Sequence, residues 1–210
     1  MTALGFGISP IFLRGGVSIP ASGLLLDIDP QPSKVRGTGA RDLEASDSEY
    51  FAIADNAALS TGDIDFSVAI FVKSEALAGT DDIIGKGQYT GSTREWKLAY
   101  TSSRFNFFVS TNGQATIGIA ADTLGEPSDG QWYFIVAWHD ASANTINIQI
   151  DGGAVDSAAT SGSAPSDRTG KFFAGIEDTV YAQYWDGLIA RPLFAKRVWT
   201  AAERTALFAS

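Results

Sequence analysis

Apolar and polar residues change places at every second position over much of this chain, the period that sends alternate side chains to opposite faces of a β-strand. In DIDFSVAIFV, Phe66, Val68, Ile70 and Val72 share a face; in REWKLAY, Trp96, Leu98 and Tyr100 do; in RFNFFV, Phe105, Phe107 and Val109 do. QWYFIVAW sets Trp132, Phe134, Val136 and Trp138 on one side, and TINIQI alternates Ile146, Ile148 and Ile150 with Thr145, Asn147 and Gln149. Each run is predicted as a strand with one buried face. Turn formers separate the runs: Asp129-Gly130, Asp151-Gly152-Gly153, Gly162 to Pro165, and Asp186-Gly187.

Helical signals are few. NAALS at 56–60 reads as a turn, and TAAERTALFA closes the chain with Thr200 three residues before Glu203, the spacing of a capping box. Many short strands and one short terminal helix predict an all-β fold, a two-sheet antiparallel jelly-roll sandwich. Segment 30–46, PQPSKVRGTGARDLEAS, reads as a long polar loop around the sandwich edge.

Residues 1–22 differ from the rest of the chain. They are Gly-rich and apolar, with Arg14 their one charge. The arm 1–22 is therefore set apart from a sandwich domain at 23–210. It is read either as an extra strand on its own domain or as an arm that docks on a neighbouring subunit or larger body through Leu4, Phe6, Ile8, Ile11, Phe12, Leu13 and Arg14. No basic residue precedes its apolar run and Pro10 breaks it, so it reads neither as a signal peptide nor as a membrane-inserting segment.

Composition narrows the chemistry. Hydrophobic residues make up 45% of the chain and charged ones 19%, enough for a sizeable core. The net charge of −9 argues against nucleic acid as a partner. There are no cysteines, which removes disulfides, thiolate nucleophiles and Cys-zinc sites and leaves the compartment open. No cofactor is expected apart from a candidate structural calcium. Asp47, Asp55, Asp81 and Asp82 lie near predicted turns and offer oxygen ligands for it.

The one histidine, His139, is followed by Asp140, a pairing that suggests general-base chemistry. The surrounding VAWHDASANTINIQIDG reads instead as a hairpin, with Trp138 ending a strand, His139 in solvent at its end, and Asp140 and Asn144 bracketing the turn. The pairs Asp47/Glu49, Asp27/Asp29, Asp63/Asp65 and Glu177/Asp178 read as solvated turn acids rather than as the two carboxylates of a glycosidase. Among Tyr89, Trp96, Tyr100, Tyr181, Tyr184 and Trp185, Trp96 falls in the inward register of its strand. The stretch YAQYW precedes a turn, so Tyr181, Tyr184 and Trp185 are the candidate platform for a sugar ring. Phosphate-binding glycine patterns are absent.

Three stretches carry a family resemblance. YFAIADNAALSTGDIDFSVAIFVKS resembles the opening of a laminin G-like, concanavalin A-like jelly roll, DGQWYFIVAWHDASANTINIQIDGGAVDS its central hairpin, and YWDGLIARPLFAKRVWTAAERTALFA its closing strand and helix. The resemblance covers roughly residues 23–210. It implies two curved antiparallel sheets in a module that binds glycans or proteins, spaces or adheres, or builds phage particles. Relatives carry acids in the closing strand that help bind calcium, where Ala190 and Arg191 stand in GLIARPLF, so the resemblance does not imply a calcium site of that type. Glycoside hydrolases of this fold resemble a strand carrying Glu-x-Asp-x-Glu, a run this chain lacks.

The start MTALGFGISPIFLRGG is similar to starts of tailed-phage structural proteins. The sequence thus leads to a non-enzymatic structural or adhesion protein. It is expected to be a phage virion component (head decoration or fibre subunit) assembled in the host cytoplasm, homo-oligomeric or bound to a major capsid or tail protein. The alternative is a carbohydrate-binding module at a bacterial surface or outside the cell, with a cell-surface glycan as partner; a glycoside hydrolase ranks behind both.

Overall fold

In a computed structural model, residues 11–12, 18–19, 24–27, 40–160 and 165–209 are described. Two short strands, β1 (Ile11–Phe12) and β2 (Ser18–Ile19), pair with each other antiparallel as a separate ribbon. Leu4, Phe6, Ile8, Leu13 and Arg14 of the arm lie outside the described residues.

The rest is a sandwich of two antiparallel sheets. Strands β3 (Leu24–Asp27), β4 (Ala40–Leu43), β6 (Phe66–Ser74), β11 (Trp132–Asp140), β12 (Thr145–Ile150), β13 (Val155–Ala159) and β15 (Gly187–Ala195) form one sheet, in the order β13-β12-β11-β6-β15. β15 holds β4 along its first half and β3 along its second, with a bulge between at Arg191, whose φ is 48°. The other sheet runs β10 (Thr116–Ala120), β9 (Arg104–Ser110), β8 (Trp96–Thr101), β7 (Thr80–Lys86), β14 (Phe172–Ala174), β5 (Phe51–Ile53).

The alternating residues meet between the sheets. Phe66, Val68, Ile70 and Val72, with Ile146 and Ile148 of the same sheet, face Trp96, Leu98, Phe105 and Phe107 of the other in one continuous core, and the Trp96 and Phe194 rings stack 5.8 Å apart. Trp96 and Tyr100 are both buried there, as the inward register of β8 predicts.

β11 departs from the prediction of one buried face. Tyr133, Ile135 and Ala137 enter the core, while Phe134, Val136 and Trp138 form a second cluster on the outer side with Leu193, Trp199, Ala206 and Leu207. The helix α1 (Ala201–Phe208) covers that side. Its capping box is formed by Thr200 and Glu203, and Arg204 lies 4.2 Å over the Trp138 ring. QWYFIVAW is apolar at nearly every position, so both faces have to be covered and period two alone cannot choose between them.

His139 is a second departure. β11 continues through it to Asp140, and the imidazole is fully buried against Phe66, with Nδ1 2.8 Å from the Ile64 carbonyl. Asp140 does not orient it: its Oδ1 accepts from the Ser142 hydroxyl and the Ala143 N–H and closes the 141–144 turn. Those bonds, the Ala143 N–H first, hold the Asp140 carboxyl below its ordinary range. The histidine is a core residue at the place where a strand end in solvent was expected.

Segment 30–46 is also more ordered than expected where it is described. Ala40 and Leu43 of β4 are buried against β15, and Ala45–Asp47 forms a single 3-10 turn.

One end of the sandwich is closed by a buried ion pair. The Lys86 ammonium lies 2.7 Å from Glu95 and 2.7 Å from Asp55, and it also donates to the carbonyls of Arg168 and Gly170. Glu95 is fully buried and accepts in addition from the Thr61 N–H and hydroxyl and from the Arg168 N–H. Two loops, around 55–61 and 165–170, are thereby tied to the sheet. Removing one partner of such a pair leaves an uncompensated charge. Glu95→Gln is expected to cost about 3 kcal/mol in chemical denaturation. A loss under about 1 kcal/mol would mean that the loops are held by something else.

Candidate functional site

The outer face of the six-stranded sheet carries the chemistry. The strand registers align Gly118, Phe108, Lys97, Gly85, Phe173 and Ala52 in one row across it. Gly85 makes that row possible: a Cβ there would lie 2.6 Å from the Phe173 ring and 2.8 Å from the Lys97 Cβ. The row therefore seats a large ring and a lysine stem side by side over the middle of the sheet.

Lys97 would be a costly cation in this place without counterions. Its ammonium is 2.8 Å from Asp82 and 3.0 Å from Glu177, both almost wholly buried. Glu177 also receives a two-pronged hydrogen bond from Arg94, and its own N–H donates to Asp82. Burial pulls the Arg94 guanidinium down, but Glu177 outweighs it and leaves Arg94 above its usual range. Asp178 accepts from the Thr90 N–H and hydroxyl and from the Val180 N–H. Burial pushes that carboxyl up, yet the three donors hold it below the usual range.

This network joins two loops. One, residues 87–95, links β7 to β8; the other, 175–186, links β14 to β15. The second loop also bridges β7 directly, through Asp82 N–H to the Gln183 carbonyl at 3.0 Å. Expecting Glu177 and Asp178 to be solvated turn acids was wrong, because the sequence alone does not reveal that Lys97, Arg94 and Thr90 face them from distant positions.

Four tyrosines stand on the two loops and the neighbouring chain. Tyr89 and Tyr181 meet edge to face at 5.5 Å, and Arg94 lies 4.7 Å over the Tyr89 ring. Tyr50 and Tyr184 lie 6.5 Å apart, with the Lys171 ammonium 4.9 Å over the Tyr50 ring. Tyr50, Tyr89 and Tyr181 are among the exposed large hydrophobic residues, beside Val180 and Phe51. Of the three residues proposed from YAQYW, Tyr181 is exposed and Tyr184 half-buried. Trp185 is wholly buried in the core between the sheets, where its ring face cannot meet a ligand. Sequence reading did not foresee Tyr50 as a member of the patch. Its only signal is a tyrosine next to a strand that begins Phe51-Ala52-Ile53.

The four aspartates proposed for calcium do not form one site. Asp47 sits exposed on the 3-10 turn, Asp55 is paired with Lys86, and Asp82 with Lys97. Among the described residues no group of three or more His, Cys, Asp or Glu is arranged to hold a metal ion. Of the acid pairs, Glu49 is engaged with Arg41 at 3.0 Å, Asp65 with the Ala141 N–H, and Glu177 and Asp178 in the network, Asp63 is exposed, and Asp29 lies outside the described residues. No helix among the described residues is long and apolar enough to cross a membrane.

Asp81 is perturbed. Burial, with the Ala78 N–H opposing it and Asp82, Asp186 and Asp129 adding to it, pushes its carboxyl up from 3.8 to about 6. The folded state thus holds this proton more tightly than the unfolded chain, so ionisation costs stability as pH rises through 4 to 6. Asp81→Asn is expected to stabilise the protein at pH 7 by about 1 kcal/mol, discounted because the carboxyl keeps contact with water, and to be neutral near pH 4. Paired thermal melts at the two pH values check this; equal effects at both would remove the assigned cause.

The comparisons agree with this architecture. The binding domain of botulinum neurotoxin serotype G superposes with a TM-score of 0.66 at 16% identity, over 96% of this chain and 50% of that one. The binding domain of Paraclostridial Mosquitocidal Protein 1 gives 0.64 at 14%, over 89% and 45%. The chain thus spans about half the length of these toxin domains. Domain 4 of AbnA, an extracellular arabinanase from Geobacillus stearothermophilus solved with arabinotriose, gives 0.59 at 17%, over 88% and 80%. No curated protein sequence matches. At these identities the likeness is one of fold. A laminin G-type family model, described as concanavalin A-like lectin/glucanases superfamily, matches residues 45–203, and the chain belongs to that superfamily.

Proposed function

We propose that this protein is a non-catalytic recognition module that takes a glycan on the tyrosine patch of the six-stranded sheet. The observation that carries the reading is the set Tyr50, Tyr89, Tyr181 and Tyr184, of which Tyr89, Tyr181 and Tyr184 stand on two loops that a buried ionic network fixes to the sheet and Tyr50 stands beside them just before β5. A tyrosine offers a flat apolar face for the C–H side of a sugar ring and a hydroxyl for its polar rim. Loops held before binding lose little freedom on binding, which favours affinity. The fold shared with a domain solved with arabinotriose supports the same reading.

The module belongs, in this proposal, to a structural or adhesion protein of a tailed-phage virion, with a bacterial surface protein as the alternative carrier. Support comes from the apolar arm 1–22 and from the pairing of β1 with β2, which among the described residues form a two-stranded sheet of their own. Attachment through the arm is expected to show as a defined oligomer of the full chain by light scattering and a folded monomer once residues 1–22 are deleted. Two monomers would exclude self-assembly by this route.

For the glycan site, the Tyr89→Ala, Tyr181→Ala double variant is expected to keep its far-ultraviolet circular dichroism and melting temperature. Its glycan affinity should fall roughly tenfold or more, the loss of about two ring contacts. A wild-type chain that retains no oligosaccharide on a broad glycan array, or a variant that binds as well as wild type, overturns the proposal.

A further inference from the structure

The charges around the patch are unequal in how well they are satisfied. Arg94 is bound to Glu177, Lys97 to Asp82 and Glu177, and Arg41 to Glu49. The carboxylates are equally engaged: Glu177 accepts from both arms of Arg94 and from Lys97, and Asp178 accepts three hydrogen bonds from Thr90 and Val180. Lys171 is different. Its ammonium lies over Tyr50, and no hydrogen-bond acceptor among the described residues takes its protons. Asp178 attracts it through space, but partial burial costs the charged form more, and the ammonium is held below its ordinary pKa. A three-donor cation, partly stripped of water and resting on an aromatic face, is poised to gain from an anionic oxygen.

We infer that the glycan taken by the tyrosine patch is an acidic one, whose carboxylate or sulfate is received by the Lys171 ammonium while its ring lies against the tyrosines. This rests on the glycan reading above and narrows it to a class. Neutral sugars present hydroxyls, which satisfy an ammonium less strongly than an anion does. The net charge of −9 opposes an anion at long range. At physiological salt that repulsion is screened beyond about 8 Å, so the choice is made by the groups in contact.

The test is calorimetric titration with matched pairs at physiological salt: an oligogalacturonide against its methyl ester, sialyllactose against lactose, and a sulfated against an unsulfated disaccharide. At least one acidic member is expected to bind roughly tenfold tighter than its neutral partner. The pair that responds tells carboxylate from sulfate. Lys171→Gln should bring the acidic ligand down to the level of the neutral one, Lys171→Arg should keep the preference, and Tyr181→Ala should weaken both members. Equal binding of acidic and neutral partners by wild type, or a preference that survives Lys171→Gln, overturns the inference while leaving the glycan site standing. Binding of neither kind overturns the glycan site and this inference together.

Discussion

The Lys97 ammonium, held between Asp82 and Glu177, is the contact on which the rest of the patch depends. Its position is fixed by β8: Trp96 and Leu98 must face the core, so residue 97 must face outward. Phe108 and Phe173 flank it in the same row of the sheet, and an unpaired charge between them would be costly. The counterions come from β7 and from the β14–β15 loop, and Arg94 is the second cation that balances the two carboxylates. Buried ion pairs of this kind are weak evidence for stability, since desolvation cancels much of the attraction. Their effect is geometric. Few placements of the 175–186 loop satisfy Lys97, Arg94 and Asp82 together, and the loop carries Tyr181 and Tyr184.

The same loop serves the interior. Trp185 leaves the outer face and fills the core between the sheets, four residues after the exposed Tyr181. Its backbone N–H donates to the Gly175 carbonyl, so the two ends of the loop are tied together at its base. Between these anchors Asp178 binds Thr90 of the facing loop. Burial at one end and ion pairing in the middle leave the tip as the exposed part, where Val180 and Tyr181 stand.

Much of the fold was legible from period two, because β6, β8, β9 and β12 each bury one face in the core and alternate accordingly. The capping box was legible because its rule is local, a hydroxyl and a carboxylate three residues apart. The misreadings share a cause. His139 beside a turn former looks solvated until Phe66 and Ile64 are placed against it, and Trp185 looks like a ligand platform until its strand entry is known. β4 is four residues long and declares itself only through its pairing with β15. Glu177 meets partners 80 and 83 residues earlier in the chain, and no local pattern encodes that meeting.

Two lysines near the ends of the β7–β8 hairpin show how a charge can be read in such a fold. Lys86 sits on the core face in register with Trp96, and Lys97 on the outer face in register with Gly85. Each is surrounded by carboxylates, and each ties a loop to the sheet: 55–61 and 165–170 by Lys86, 175–186 by Lys97. Lys171 breaks this pattern. It lies beside the same face, partly out of water, with an aromatic ring beneath it and no acceptor among the described residues. Where Arg41, Arg94 and Lys97 are consumed by the architecture, Lys171 is a charge left available to a ligand.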